Sequence, residues 1–133
     1  MTLNIIEIHD YYVPILVQHI ASGRFGNLKR LRIDMDLSTR DPHIVIPAIE
    51  WNIRPLDVLV LNNVEKREME ILGCLHAKEV EIEYSPHQAT IEVVQGGSFK
   101  EMVVLRIRQP AWELKPLEEL ASACANRNAE LLF

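Results

Sequence analysis

The segment Pro55-Leu-Asp-Val-Leu-Val-Leu-Asn62 places Leu56, Leu59 and Leu61 in an apolar-x-x-apolar-x-apolar pattern. Its last two apolar positions are separated by one residue, as in a short strand with one buried face. The middle members of such patterns are spaced 25, 28, 21, 25 and 24 residues apart, which predicts tandem repeats. The other triads are Leu3/Ile6/Ile8, Leu28/Leu31/Ile33, Ala77/Val80/Ile82, Met102/Leu105/Ile107 and, more weakly, Asn126/Ala129/Leu131.

The segments between these triads carry apolar residues at helical spacing, and Gly23 follows the first of them as a stop signal. One strand and one return helix cannot bury their apolar sides alone, so several such units must stack. The sequence therefore predicts an α/β solenoid of about six strand-helix units, with a parallel sheet on its concave face. Helices are predicted over Tyr12–Ser22, His43–Trp51, Glu65–His76, Ala89–Gln95 and Lys115–Asn126.

These units resemble leucine-rich repeats, and Phe25-Gly-Asn-Leu-Lys-Arg-Leu-Arg-Ile33 and Pro55–Asn62 carry the resemblance best. The irregular repeat lengths, and the closing segment Leu117–Leu132, look like the divergent repeats of fungal and other eukaryotic F-box proteins. The resemblance implies a substrate-recognition role without the F-box itself. The chain departs from the family where asparagine or cysteine normally follows the strand, since those positions hold Tyr11, Asp36, Val64, Ser85 and Pro110.

Composition narrows the classes of function. The chain has 133 residues, interpreted as one domain over residues 1–133 or as a fragment of a longer repeat protein. The net charge of -5 and the pI of about 5.5 argue against nucleic acid as a partner and against a membrane surface. Two cysteines, Cys74 and Cys124, and the lack of a signal-like N-terminus predict an intracellular protein, cytoplasmic or nuclear.

If the strands align by their triads, the outward positions form columns on the open face of the sheet. The central column is predicted to pair Glu7 with Arg32, and to place Arg106 between Glu81 and Glu130. The least charged part of this face lies at Val58, Val60 and Asn62, where interface cores are expected. Trp112, in the loop after the fifth strand, is the predicted exposed aromatic. The predicted partner-binding residues are Arg32, Val58, Val60, Asn62, Glu81, Arg106 and Trp112.

Motifs for chemistry are weak, and no catalytic, cofactor-binding or metal-binding residue is predicted. The Gly96-Gly97 pair has the composition of a turn rather than of a phosphate-binding loop. The segment 34–41 resembles the start of a calcium loop, but it lacks the glycine at the sixth position, and the twelfth position, where the loop needs an acidic residue, is Val45. Cys74, His76 and His87 lack zinc-ligand spacing.

Three classes of function follow from this pattern. The first is a non-catalytic protein-interaction module that binds a protein partner through the open sheet. The second is a compact, doubly wound α/β enzyme or ligand-binding domain, with a pocket at His9, Asp34, Asn62 and Glu83. The third is a module that forms homodimers through uncapped end repeats, at Leu3/Ile6/Ile8 and at Ala129/Leu131/Phe133.

Overall fold

The computed structural model describes residues 5–9, 18–20, 22–23, 28–35, 54–108 and 112–133. For residues 5–9 it describes the backbone alone. Six strands in this part of the chain form one sheet, every neighbouring pair is parallel, and the strands lie side by side in chain order. The α/β class and the parallel sheet are therefore confirmed. The strands are β1 (Ile5–His9), β2 (Arg30–Asp34), β3 (Leu56–Asn62), β4 (Ala77–Glu83), β5 (Val104–Ile107) and β6 (Glu130–Leu132).

Parallel neighbours need a crossover between them, and three described crossovers carry helices. These are α1 (Lys66–Leu72), α2 (His87–Gln95) and α3 (Leu114–Asn126). The prediction over Ala89–Gln95 begins two residues too late, and the one over Lys115–Asn126 begins one residue too late. The predicted helix over 43–51 lies outside the described residues. Within the predicted helix over 12–22, residues 18–20 are helical and Gly23 has φ 92°, as expected of a helix stop.

The helix predicted over Glu65–His76 is shorter in the structure, since α1 ends at Leu72. Gly73 lies where the loop after α2 crosses close to α1. The backbone N–H of Phe99 donates to the carbonyl oxygen of Gly73 at 2.7 Å. This carbonyl is thereby paired outside the helix, and the chain turns over residues 73–75 toward β4.

The core lies between the sheet and these helices. The four triads that start at Leu28, Leu56, Ala77 and Met102 are buried, with no member more than 3% exposed. The helices contribute to the same cluster through Met69, Leu72, Ile91, Val94, Leu120 and Cys124. The described helices therefore pack on one face of the sheet, and the alternate strand residues lie on the other.

The last strand is shifted from the predicted alignment. Arg106 pairs in register with Leu132, and Glu130 pairs with Val104, so the predicted pairing of Arg106 with Glu130 is wrong. The reason lies in α3, which continues to Asn126 and is followed by a turn with Asn128 at φ 58°. β6 consequently starts at Glu130, and the shift of two residues keeps Leu131 on the core side.

In the described part of the chain, no helix is both long enough and apolar enough to cross a membrane.

Candidate recognition face

The face of the sheet opposite the helices carries charges in three of its central strands. We call the outward residues of β2 to β5, together with Arg108, the charged face. Four arginines on this face meet four carboxylates, so its formal charge balances. The charged residues are Arg30, Arg32, Asp34, Glu79, Glu81, Glu83, Arg106 and Arg108, and β3 contributes Val58, Val60 and Asn62 between them.

Arg32 joins two carboxylates on different strands. Its Nε lies 3.0 Å from Oδ2 of Asp34, and its Nη2 lies 3.0 Å from Oε2 of Glu83 on β4. The hydrogen bonds to Glu83 and then to Asp34 hold the pKa of Arg32 above its ordinary value. Asn62, on the intervening strand, donates an amide hydrogen bond to Asp34. The fork of the guanidinium is thus fixed in one orientation over β3.

The glutamates of β4 also receive arginines from both sides. Arg106 on β5 lies 3.3 Å from Glu79, and Arg108 pairs with Glu81. Arg30 on β2 reaches Glu81 from the other side at 3.8 Å. Each pair is diagonal, two residues along β4 from the position in register with the arginine, because an arginine side chain is longer than the distance between strands. Arg106 and Arg108 reach β4 directly, whereas Arg30 reaches it across β3. The predicted contact of Arg106 with its direct neighbour Glu81 is therefore replaced by one with Glu79.

Val60 does not offer the exposed apolar surface predicted for it. Its relative exposure is 0%, and Glu81 in the same column is 6% exposed. The ion pairs Arg30–Glu81 and Arg32–Glu83 both pass from β2 to β4 over β3, where Val60 lies. Val58 and Asn62 beside it are half-buried. A partner would therefore meet arginine and glutamate side chains first, with Val60 beneath them.

Trp112 does not join the charged face. Its ring stacks on His87 at the start of α2, with centroids 3.9 Å apart and planes inclined by 16°. The side chain is half-buried and packs against the core, and its Nε1 has no acceptor among the described residues. Trp112 is therefore half-buried rather than exposed as predicted, since its ring is covered from the side of α2, and its role in binding stays a prediction.

For a compact α/β enzyme, the sequence predicted a pocket at the carboxyl ends of the strands. The register aligns His9, Asp34, Asn62 and Glu83 side by side, as predicted. Asp34 and Glu83 both accept hydrogen bonds from Arg32, and the side chain of His9 lies outside the described residues. The carboxylates of Asp34 and Glu83 therefore both form ion pairs with Arg32.

A cleft of about 380 Å³ lies beyond the carboxyl ends of β3 and β4, and sequence reasoning did not single it out. Tyr84 in its wall is 62% exposed and has φ 52°. Two signals could have indicated it: an aromatic residue directly after a strand, and Asn63 at the same place after the preceding strand. The lining residues are Asn63, Val64, Glu65, Tyr84, Ser85, Pro86 and His87.

Of the residues considered as metal ligands, His87 lines this cleft, whereas Cys74 and His76 do not. Cys74 is half-buried, and Cys124 is buried among the core residues of α3, where burial raises the pKa of its thiol. Within the ranges that the structure describes, no three His, Cys, Asp or Glu side chains are grouped as metal ligands would be. Most of the segment 34–41 lies outside those ranges, while Asp34 itself is bonded to Arg32 and Asn62.

Comparison of the chain with known proteins adds no relative: no family model, no curated protein and no solved structure matches it. The resemblance to leucine-rich repeats thus stays a prediction that rests on the spacing of the triads.

Proposed function

We propose that the chain is a non-catalytic protein-interaction module of leucine-rich-repeat type, a solenoid whose charged face binds a protein partner. The substrate-recognition repeats of an F-box-like protein are the specific form that the sequence resemblance suggests. The observation that carries the proposal is the one-sided sheet: the described helices pack on one face, and the other face carries an ordered set of charges. Solenoids commonly bind partners through such a face.

The strand order supports a repeat architecture over the doubly wound alternative. A doubly wound sheet reverses its strand order, and the reversal creates the crevice in which ligands bind. The described strands follow chain order from β1 to β6 without a reversal. The repeated positions of the buried triads fit units that each contact their neighbours along the chain.

The ion pairs suit recognition because they hold their side chains in place before a partner arrives. A fixed arginine loses less conformational entropy on binding than a mobile one. Arg30 and Arg108, with side chains 44% and 58% exposed, can contact a partner while they remain near Glu81. An alternating pattern of charge selects a partner with the complementary pattern and opposes others.

A charge swap tests this proposal without removing an ion pair. In the double variant Glu79→Arg with Arg106→Glu, the pair persists but its two charges exchange places on the charged face. The matched control is Lys66→Glu with Glu92→Lys, which exchanges a 2.7 Å pair on the helix side of the molecule. Each protein is immobilised, exposed to extract from the source organism, and its bound proteins are quantified by mass spectrometry.

We expect at least one protein that the unmodified chain and the helix-side control both retain and that the face swap loses. A set of bound proteins that is unchanged by the face swap would count against recognition through this face. So would a protein lost equally by both swaps. Circular dichroism of all three proteins establishes that the fold is retained.

Self-association through the last repeat is a second candidate, favoured by one observation. β6 pairs with β5 on one side, and the adjacent Phe133 is 64% exposed. A strand at the edge of the described sheet, beside an exposed aromatic residue, is a template for pairing with a second chain. The mass from light scattering, compared between the unmodified chain and Phe133→Glu, tests it: a dimer that becomes a monomer supports self-association, and a monomer in both cases excludes it.

A further inference from the structure

Glu81 on β4 is shared by two arginines of the charged face. Arg108 donates a hydrogen bond from its Nε to Oε1 of Glu81, and Nη2 of Arg30 lies 3.8 Å from Oε2. The side chain of Glu81 is 8% exposed, whereas those of Arg30 and Arg108 are 44% and 58% exposed. Two exposed guanidiniums therefore flank one buried carboxylate, and we call these three residues the Glu81 cluster.

The two arginines are not equally bound to Glu81. Arg108 is hydrogen-bonded to it, and one guanidinium is enough to offset the charge of one carboxylate. At 3.8 Å, Arg30 lies beyond the distance of a hydrogen bond to the same group. Within the described part of the chain, no second carboxylate forms an ion pair with Arg30 or with Arg108. The Glu81 cluster therefore carries one positive charge in excess.

The remaining carboxylates of the charged face are engaged by other arginines. Arg106 lies 3.3 Å from Glu79, so this pair is balanced by itself. Arg32 holds both Asp34 and Glu83, each at 3.0 Å. The charges of the face are thus equal in number but unevenly distributed, and the positive excess is local to the cluster.

We propose that the Glu81 cluster receives one carboxylate side chain, an aspartate or glutamate of the partner protein, between Arg30 and Arg108. This inference rests on the function proposed for the charged face and names the chemistry of its partner. One carboxylate makes the cluster neutral, and a guanidinium can bind it through two parallel hydrogen bonds. An apolar residue would instead cover the excess charge and leave it without a counterion, at a cost in free energy.

The charge of the cluster also favours a carboxylate over a phosphoryl group. A phosphorylated residue carries a charge of about -1.5 to -2 and would make the cluster negative, directly above the carboxylate of Glu81. The net charge of the whole chain is -5, so the cluster is a local exception in an acidic molecule. Charges separated by more than about 10 Å are largely screened at an ionic strength of about 0.1 M. An acidic residue is therefore selected by contact with the two guanidiniums rather than attracted by the molecule as a whole.

Nuclear magnetic resonance of the complete, ¹⁵N-labelled chain tests the proposal through the arginine Nε–H signals. The probe is a blocked pentapeptide in which one glutamate lies among glycine and serine residues. One control peptide has glutamine in place of the glutamate, and a second has phosphoserine. At constant ionic strength, we expect saturable shifts of the Nε–H signals of Arg30 and Arg108 with the glutamate peptide. The glutamine peptide should bind at least about fivefold more weakly, which corresponds to about 1 kcal/mol, and the phosphoserine peptide no more tightly than the glutamate peptide.

A variant at Arg30 separates lost binding from lost folding. Arg30→Gln removes the excess charge and leaves the hydrogen bond between Arg108 and Glu81 in place. Its circular dichroism should therefore be unchanged, while its affinity for the glutamate peptide should fall by at least about fivefold. The matched control is Lys115→Gln, which makes the same change in net charge at an exposed position of α3 on the helix side. Its affinity should stay within about twofold of that of the unmodified chain, since distant surface charges are screened.

Four results would overturn this proposal. The first is the absence of saturable shifts with the glutamate peptide, and the second is equal binding of the glutamate and glutamine peptides. The third is tighter binding of the phosphoserine peptide. The fourth is an equal loss of affinity in Arg30→Gln and Lys115→Gln.

Retention of proteins from extract distinguishes failure of this inference from failure of the proposed function. A protein that the charge swap at Glu79 and Arg106 releases, but that Arg30→Gln retains in full, would overturn the contact at the Glu81 cluster and leave recognition through the charged face standing. A set of bound proteins that the charge swap leaves unchanged would overturn the proposed function, and this inference with it.

Discussion

The guanidinium of Arg32 on β2 reaches across β3 to the carboxylate of Glu83 on β4, with Nη2 and Oε2 3.0 Å apart. The two side chains are 28% and 19% exposed, so this pair is shielded from solvent more than a typical surface pair. It joins strands that are not neighbours, and it lies over the buried Val60. We therefore regard it as the contact that fixes the geometry of the charged face.

A double-mutant cycle measures what this pair contributes to stability. We expect Arg32→Gln and Glu83→Gln to show a coupling free energy of about 1 kcal/mol, near the upper end for partly exposed pairs. The matched control is Arg54 and Asp57, which are 3.6 Å apart with side chains 44% and 48% exposed. Its cycle, with Arg54→Gln and Asp57→Asn, should give a coupling close to zero. Equal couplings from urea unfolding would contradict the special role of Arg32.

Arg127 closes the carboxyl end of α2 from the end of α3. Its guanidinium donates to the carbonyl oxygens of Val94, Ser98 and Phe99, at 3.3, 2.6 and 3.0 Å. Because the single nitrogen of a lysine cannot match the spread of Nη1 and Nη2, we expect Arg127→Lys to lower the free energy of unfolding by about 1–3 kcal/mol. Urea unfolding checks this value, and Arg54→Lys, on a side chain that is 44% exposed, serves as the control. A loss no greater than that of the control would contradict the role assigned to Arg127.

Gly73 lies against Ser98 with no room for a side chain. A Cβ atom at this position would lie 2.7 Å from both Cβ and Oγ of Ser98. We expect Gly73→Ala to lower the free energy of unfolding by about 1–3 kcal/mol through overpacking. Adding Ser98→Gly removes the atoms in conflict and should restore part of the loss. If the double variant lost as much stability as the two single variants together, the close approach of residue 73 to Ser98 would not be the cause of the loss in Gly73→Ala.

The buried thiol of Cys124 should react only when the protein opens. Burial raises its pKa above the ordinary value of 9.0, while the nearby charge of Arg127 acts in the opposite direction. Since the folded pKa is the higher one, the stabilising contribution is complete below the pKa of the unfolded thiol. It is lost as the pH rises through the folded pKa.

Alkylation followed by mass spectrometry tests this expectation in a Cys74→Ser background. The labelling rate of Cys124 should follow the rate of unfolding and increase in urea. In the reverse background, Cys124→Ser, the half-buried Cys74 should label faster in the folded state. Labelling of Cys124 as fast as that of Cys74 would contradict its burial.

The sequence allowed the buried side of the sheet to be predicted because that side depends on a local pattern. The alternation of Leu59 and Leu61, and of Val80 and Ile82, follows directly from the two-residue period of a strand. The register of β2 to β5 followed from aligning those triads. The register of β6 did not, since it depends on where α3 ends, and element ends are poorly specified by local propensity.

The charged face was harder to predict because its contacts cross strands. Nothing near Val60 in the sequence shows that arginines on β2 pair with glutamates on β4 above it. The position of Trp112 was missed for a similar reason, since its stacking partner His87 lies 25 residues earlier in the chain, at the start of α2. The strain at Tyr84 is a property of the backbone that composition does not reveal.

Site-specific photo-crosslinking tests the central claim, that the charged face contacts a partner protein, most directly. A photoreactive amino acid is placed at Arg106, 31% exposed on the charged face, or at Glu118, exposed on α3 at the helix side. Each protein is irradiated in cells of the source organism, and the cross-linked products are identified by mass spectrometry. The account predicts a discrete cross-linked protein from position 106 that is absent from position 118. The same product from both positions, or a product from position 118 alone, would contradict it.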